Sequence, residues 1–325
     1  MDDAKIYVIH ENDAWVEPLR AAFAERGLPH AEWFLDGGRL NLDQPPPEGV
    51  FYNRMSASSH TRGHRHAPEY AAAVLAWLEG HRRRVVNNGR ALALEISKVA
   101  QYAALGAHGI RVPRTVAAVG RDAIVGAAGL FDGSFITKHN RAGMGLGVRL
   151  FDDGDGLRDY VDGPEFEPSI DGVTLVQEYI EAPEPHITRV EFVGGRCIYA
   201  VRVDTSEGFE LCPADACRVD DAFCPAGETP PGLFTVMTDF DHPLVERYAG
   251  FLAANGIEIA GVEFILDRNG VAYTYDINTN TNYNAQAEAE AGVPGMGMGA
   301  IADFLCRELA VATGVALPCA QAAAE

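Results

Sequence analysis

Lysine is nearly absent from this sequence: Lys5, Lys98 and Lys138 are the only three among 26 basic residues. A chain-wide arginine bias accounts for the scarcity, so each interior lysine that remains invites a chemical reason. A compact ammonium on a flexible stem suits a phosphate contact as a point charge. Long apolar runs are also missing, and none approaches the roughly 18 residues of a membrane span. The opening MDDAKIYVIHEND has neither a basic region nor an apolar signal core. Positive charge is short overall: a net charge of −20 argues against a nucleic-acid or acidic-membrane binder, which needs a basic face. The six cysteines show no paired spacing, which predicts reduced thiols rather than a disulfide scaffold. The first strand–helix junction, IHENDAW, lacks a glycine fingerprint, so no dinucleotide site is expected there. These absences together predict a cytoplasmic protein without nucleic-acid or membrane partners.

What is present is ordinary globular material: 325 residues, 47% of them hydrophobic, enough for two or three domains. KIYVIH, HAEWFL and GVFYNRM read as strands, and WVEPLRAAFAERG and APEYAAAVLAWLEGHRR have helical spacing, giving a small α/β domain over residues 1–90. ALALEISKVAQYAALGAHG reads as one helix carrying Lys98 and stopped by glycine. Two strands, FITK and GVRLF, then flank a glycine loop. Further on, LRDYVDG reads as a short helix and TLVQEYI as a strand. After them come strands, the helix HPLVERYAGFLAANG and a terminal helix GAIADFLCRELAVAT.

The loop in FITKHNRAGMGLGVRLF carries Gly143, Gly145 and Gly147 but follows its lysine instead of preceding one. A Walker loop feeds a helix whose N-terminus and lysine hold phosphate. Here Val148, Leu150 and Phe151 continue as a strand, so the glycines tip a hairpin with Lys138 on the strand below. Backbone N–H groups on such a tip can still wrap phosphate oxygens. A plain glycine-rich turn is the alternative.

GVEFILDRNGVAYTYDINTNTNYN reads as a hairpin closed by a two-residue Asn269-Gly270 turn of type I′. That register pairs Arg268 with Val271, Phe264 with Tyr275 and Val262 with Ile277, and sets Glu263 opposite Asp276 with Asn278 on the same side. Two facing carboxylates destabilise a sheet by up to about 1 kcal/mol unless neutralised. Glu263, Asp276 and Asn278 make a Mg²⁺-type oxygen set, the alternative being a solvated edge. In ITRVEFVGGRCIYAVRVD, the same counting about Gly194-Gly195 puts Arg189 and Arg202 on one face as diagonal neighbours, able to share an anion or to pair with Glu191 and other acids.

This set of motifs resembles the ATP-grasp superfamily, in particular the bacterial α-L-glutamate ligase and glutathione synthetase branch, over about residues 90 to 310. The resemblance implies an α/β (α+β) ATP-grasp fold: a Rossmann-like N-terminal domain (1–90), a central lid with the glycine flap (91–176) and a C-terminal antiparallel-sheet domain (177–325). It implies that Lys98 and Lys138 bind ATP phosphates. Gly143, Met144, Gly145, Leu146 and Gly147 form the flap, and Gln177, Glu178, Tyr179 and Ile180 contact adenine and ribose. Mg²⁺, as two ions with Mn²⁺ a substitute, falls to Glu263, Asp276 and Asn278. The chemistry implied is carboxylate–amine ligation through an acyl phosphate, with Arg202 and Arg189 stabilising transferring charge. Dimers or tetramers are common among such proteins. The chain departs from the pattern at Ile187, where many relatives carry aspartate, and over residues 205–235, which match nothing assignable.

Substrate selection is expected in NRMSASSHTRGHRHAPEY, residues 53–70, where three arginines and three histidines precede the first acid, Glu69. Arg54, Ser56 and Arg62, with Asn280, are the candidate contacts to a small anionic carboxylate or amino acid. An accidental surface cluster is the alternative. A metal site on His60, His64 and His66, or on Cys212, Cys217 and Cys224, fits no standard spacing. The glutamates of AQAEAEAG are expected to be solvated. A small-molecule kinase on the same fold, or a nucleotide-binding protein without turnover, are the competing functions.

Overall fold

The structure is a computed structural model and describes residues 4–143, 145–206, 233–315, 317 and 319. The chain begins with β1 (Lys5–His10), α1 (Asp13–Glu25), β2 (His30–Phe34), β3 (Gly49–Asn53), α2 (Ala67–Gly80) and β4 (Arg84–Val86). The four strands form a parallel sheet in the order β2-β1-β3-β4. Asn12 caps α1 by accepting from the Trp15 N–H, and Val16, Leu19, Ala22 and Phe23 turn one helix face into the core.

Where one helix is expected around Lys98, there are two: α3 (Gly89–Glu95) and α4 (Lys98–Ala107). Ser97 breaks the run by adopting extended backbone and accepting from the Ala100 N–H. Lys98 thereby becomes the first residue of α4 instead of an interior one.

Next come β5 (Thr115–Ala118), α5 (Arg121–Ala127), β6 (Phe135–His139), β7 (Arg149–Phe151), α6 (Gly154–Asp162) and β8 (Thr174–Glu178). Their strands make an antiparallel sheet in the order β5-β8-β6-β7. β8 runs across residues 176 and 177 and lies wholly within this sheet. The last section holds β9 (His186–Val193), β10 (Arg196–Asp204), β11 (Phe234–Met237), α7 (Leu244–Ala254), β12 (Ile259–Leu266), β13 (Ala272–Asn278), α8 (Ala285–Glu290) and α9 (Met296–Thr313). Its sheet runs β11-β10-β9-β12-β13.

Two cores ignore the sequence boundaries between these sections. Ile301, Leu305 and Leu309 of α9 pack with Ile6, Val8, Val50, Leu19 and Phe23, so the final helix closes the first sheet. Ala91, Leu94 and Leu105 of α3 and α4 join Val190, Phe192, Tyr248, Phe251 and Val262 under the last sheet. Each fully buried Val, Leu, Ile or Phe among these contributes about 1.5–3 kcal/mol by leaving water. Two expectations are corrected here. Cys306 of α9 forms a disulfide with Cys319, their Cα atoms 5.6 Å apart, so these thiols are not both reduced; Cys197 is free. Glu288 of α8 is buried, not solvated, because it accepts from the Tyr199 hydroxyl (2.7 Å) and the Gly297 N–H (2.8 Å). Among the described residues no helix is long and apolar enough to cross a membrane.

Asn87 joins the first sheet to the last. Its Nδ2 donates to the carbonyls of Ile259 (2.8 Å) and Thr279 (2.9 Å), and its Oδ1 accepts from the N–H groups of Glu258 (2.9 Å) and Ile259 (3.1 Å). The amide capacity is full, the residue is fully buried, and its φ of 56° is one that asparagine tolerates better than most residues. Asn87→Ala strands these backbone groups in the interior and should lower unfolding free energy by about 3 kcal/mol or more. Urea denaturation would check this, and a loss below 1 kcal/mol, the scale of an ordinary surface change, would contradict it.

Candidate active site

A cavity of about 480 Å³ lies where the three sections meet. The first section contributes Trp15, Ser56 and Ser58, the β5-β8-β6-β7 sheet and its hairpin, called the lid below, contribute Lys138, Gly143, Gly145, Leu146 and Gln177, and the last sheet contributes Arg189, Glu263, Asp276 and Asn278. Apolar side chains from the lid and the last sheet, Ile136, Val148, Ile180 and Ile265, give the same cavity walls suited to a flat ring.

The charged floor comes from the β12–β13 hairpin. Glu263 pairs directly with Asp276, and Val262 with Ile277, as expected, but the route to that register differs. The turn is a three-residue loop: Asp267 N–H donates to the Val271 carbonyl (2.9 Å), Gly270 N–H to the Asp267 carbonyl (3.0 Å), and Gly270 has φ +73°. The Asp267 side chain selects this turn by accepting from the N–H groups of Asn269 and Val271, both at 2.8 Å. Asp267, not Arg268, therefore pairs with Val271. The extra turn residue shifts pairing by one, setting Phe264 opposite Thr274 instead of Tyr275, and a bulge beyond Phe264 restores the register at Glu263.

Lys98 Nζ donates to Asp276 Oδ1 at 2.6 Å, while Arg189 and Asn278 donate to Glu263 Oε1 at 2.7 and 3.3 Å. Lys138 Nζ donates to the Tyr102 hydroxyl (2.9 Å) and lies over the Tyr102 and Tyr275 rings, at 5.7 and 5.5 Å. Burial lowers the Lys138 pKa against the pull of Asp276 and Glu263. Burial likewise raises Glu263, with Asp276 adding to the effect and Arg189 opposing it. For Asp276, burial is outweighed by Lys98 and Lys138, and its pKa is lowered. Burial works against charge on Arg189, yet Glu191 and Glu263 prevail and raise its pKa. Glu263, Asp276 and Asn278 thus present only hard oxygen donors beside cations that already balance them, a donor set that fits a hard divalent cation.

The flap glycines cap the β6–β7 hairpin as expected. Gly145 and Gly147 hold φ of +74° and +72°, and a Cβ on Gly147 would come within 2.3 Å of the His139 ring, so glycine is required there twice over. Met144 lies outside the described residues. Gly143 approaches Ser58, to which an added Cβ would lie 3.7 Å away. Gln177, Glu178, Tyr179 and Ile180 all line the cavity, although the Glu178 carboxylate is bonded to the Arg114 N–H at 2.6 Å.

Arg202 is corrected. A bulge at Ile198 in the β9–β10 hairpin puts Val201 opposite Arg189 and Arg202 opposite Thr188, so the two arginines face opposite sides of the sheet. Arg202 is half-exposed and pairs with Glu184 at 2.6 Å. Arg189 instead is buried between Glu191 and Glu263. Ser56 and Asn280 line the cavity, but Arg54 and Arg62 do not. Arg62 is gripped by both oxygens of the buried Glu11, at 3.1 and 2.6 Å, and stacks on Trp15. Arg54 is buried behind Asn280 and Asn282. Cys212, Cys217 and Cys224 lie outside the described residues. Among those described, the His, Cys, Asp and Glu donors that converge are His10, Asp13 and Glu32, not His60, His64 and His66. Arg20 already occupies both Glu32 oxygens.

Glu95 and Asn282 also line the cavity and Tyr102 holds Lys138, none of which was among the site residues expected from the sequence. The signal for Asn282 was legible: in Asn278-Thr279-Asn280-Thr281-Asn282 the asparagines recur every second residue, as one face of an extended segment does.

No protein-family model matches the chain, and no curated protein matches it. Solved structures do. A RimK domain ATP-grasp protein from Sphaerobacter thermophilus superposes with a TM-score of 0.63 at 18% identity, covering 93% of this chain and 99% of that one. This chain has the ATP-grasp fold. The ATP-grasp ligase PsnB, in a complex with a phosphomimetic variant of its minimal precursor, Mg and ADP, superposes with a TM-score of 0.62 at 16% identity, over 94% and 99% of the two chains. D-alanyl-alanine synthetase A from Vibrio cholerae gives 0.61 at 12% identity, over 94% and 99%. At these identities the likeness is one of fold.

At the base of the flap, Arg141 donates to Glu69 of α2 at 2.6 Å, and this bond chiefly holds the Glu69 carboxyl down to about 2. A carboxylate with a depressed folded pKa adds stability above its unfolded value, and that stability is lost as pH falls through the folded value. Glu69→Gln should therefore lower stability near neutral pH by under about 1 kcal/mol, discounted because Glu69 is half-exposed. The difference should shrink as pH falls from about 4.5 to about 2. Melting curves of both proteins across that range give the test, and a constant difference would exclude the ion pair as its source.

Proposed function

We propose that this protein is an ATP-dependent carboxylate–amine ligase that forms an amide through an acyl phosphate and releases ADP and phosphate. One observation carries the reading: two lysines from separate elements and the Glu263, Asp276, Asn278 oxygen set converge in a cavity roofed by a glycine hairpin. The likeness to ligases, one described with Mg and ADP, supports it.

In this reading Glu263, Asp276 and Asn278 would hold Mg²⁺, which when bound neutralises phosphate oxygens. Lys98, now paired with Asp276, and Lys138, buried over two tyrosine rings, take the phosphates as point charges. The apolar walls with Gln177 to Ile180 take the base. The acid's carboxylate oxygen attacks the γ-phosphorus and ADP leaves. The amine nitrogen then attacks the acyl carbon, loses a proton, and phosphate departs. Arg189, held rigid by Glu191 and Glu263, stabilises charge on the reacting oxygens, a role Arg202 cannot share from the other face. The hairpin excludes water that would hydrolyse the acyl phosphate. A kinase on this fold would use the same groups but yield a stable phosphate ester.

Purified protein with Mg-ATP, pools of carboxylic acids and hydroxylamine as a general amine should give a hydroxamate with stoichiometric ADP. ADP accompanied by a stable phosphorylated product would make the protein a kinase instead. Asp276→Asn removes one charge from the oxygen set and should abolish turnover while the far-UV spectrum stays unchanged; undiminished ATP consumption in that variant would refute the metal assignment.

A further inference from the structure

The segment after Asn278 is anchored from behind and open in front. Thr279 and Thr281 are buried at 1% and 0% exposure. Thr279 donates through its N–H and hydroxyl to Glu95, at 2.7 and 3.0 Å. The Thr281 hydroxyl donates to Glu191 (2.8 Å) and accepts from Arg189 (2.7 Å). Asn280 and Asn282, on the alternate face, line the cavity.

Behind both asparagines sits Arg54, 1% exposed. It donates to Asn280 Oδ1 (3.0 Å), Asn282 Oδ1 (2.7 Å), the Thr281 carbonyl (2.9 Å) and the Trp15 carbonyl (3.0 Å). A guanidinium has no acceptor, so each asparagine must turn its oxygen to Arg54 and leave its NH₂ group as the part not committed to it. None of Arg54's four acceptors is a carboxylate. Its charge is therefore passed on through two amide dipoles instead of being cancelled locally, as Glu11 cancels Arg62.

We infer that Asn280 and Asn282 form a paired amide-donor subsite for the carboxylate of the acid substrate, with Arg54 as its buried positioning residue. This rests on the ligase reading and gives its acid a place. Two N–H donors backed by a positive charge match the two oxygens of a carboxylate. The nucleotide phosphates have their own cations in Lys98 and Lys138, on other elements. Arg54 thus acts through the asparagines instead of touching substrate.

The test uses the full chain with a bound non-hydrolysable Mg-ATP analogue, ¹⁵N-labelled at asparagine, titrated with acetate as probe and acetamide as its uncharged counterpart. Saturable movement of the Asn280 and Asn282 side-chain amide signals with acetate alone is expected. No movement, or an equal response to acetamide, would overturn the subsite. Asn280→Asp and Asn282→Asp keep the shape but oppose the probe with negative charge. Each should weaken acetate by roughly tenfold or more, the scale of a lost hydrogen bond to a charged group, while analogue affinity holds. Unchanged acetate affinity in both would also overturn it. Arg54→Lys retains the charge but cannot span both amides. It should disturb the two amide signals and weaken acetate without altering analogue binding, whereas a purely structural role would leave the signals in place or weaken both ligands together. Because acetate is read without turnover, an intact response with no hydroxamate from any acid would remove the ligase reading and leave the subsite. Hydroxamate formation with an unchanged KM for the acid in both aspartate variants would do the reverse.

Discussion

Two carboxylates face each other across the β12–β13 hairpin, and much of the cavity can be understood as the arrangement that makes this tolerable. Glu263 and Asp276 are directly opposed and largely withdrawn from water. Left alone they would repel and lose hydration at once. Lys98 from α4, Lys138 from the lid and Arg189 from β9 supply the compensating charge, each from a different element. Removing any one partner leaves an uncompensated buried charge, so α4, the middle sheet and the last sheet are held in register by electrostatics as well as by apolar contact.

The placement of these groups depends on how the ends of elements are made. Lys98 reaches Asp276 because Ser97 ends one helix turn and starts another, leaving the lysine at the first position of α4. Asn87 ties β4's end to the strand carrying Glu263 and to Thr279 beside Asn278. Glu95, Arg189 and Arg54 pin the next four residues from behind. A flexible loop would let asparagine amides rotate freely, whereas here each has one side already committed, which is the preorganisation a specific site requires.

Several readings from sequence survived for local reasons and failed for equally local ones. In the first section β1 and β3 read as continuous apolar runs because each is buried on both faces between two cores, while α1 and α2 follow helical spacing because each turns one face to a core. The Glu263–Asp276 pairing was legible, yet through two compensating departures: an Asp267-stabilised three-residue turn and a bulge near Tyr275. In the neighbouring hairpin the turn was the expected one, but a single bulge at Ile198 went uncompensated and turned Arg202 away from Arg189. Bulges carry no strong residue signature, and one extra residue reverses every side chain beyond it.

Composition, spacing and alternation in this chain determined which chemistry was available: few lysines kept at two interior positions, a glycine hairpin, and acids and amides set every second residue along a strand. Those are properties of local geometry, where the two-residue period of a strand and the φ of glycine leave little choice. Tertiary structure decided which charges meet which. Arg62 is neutralised by Glu11, a partner 51 residues away, and Arg54 backs asparagines more than 220 residues away. Whether an arginine is free to bind a ligand or is spent on its own protein depends on contacts between distant segments, and no short stretch of sequence contains them.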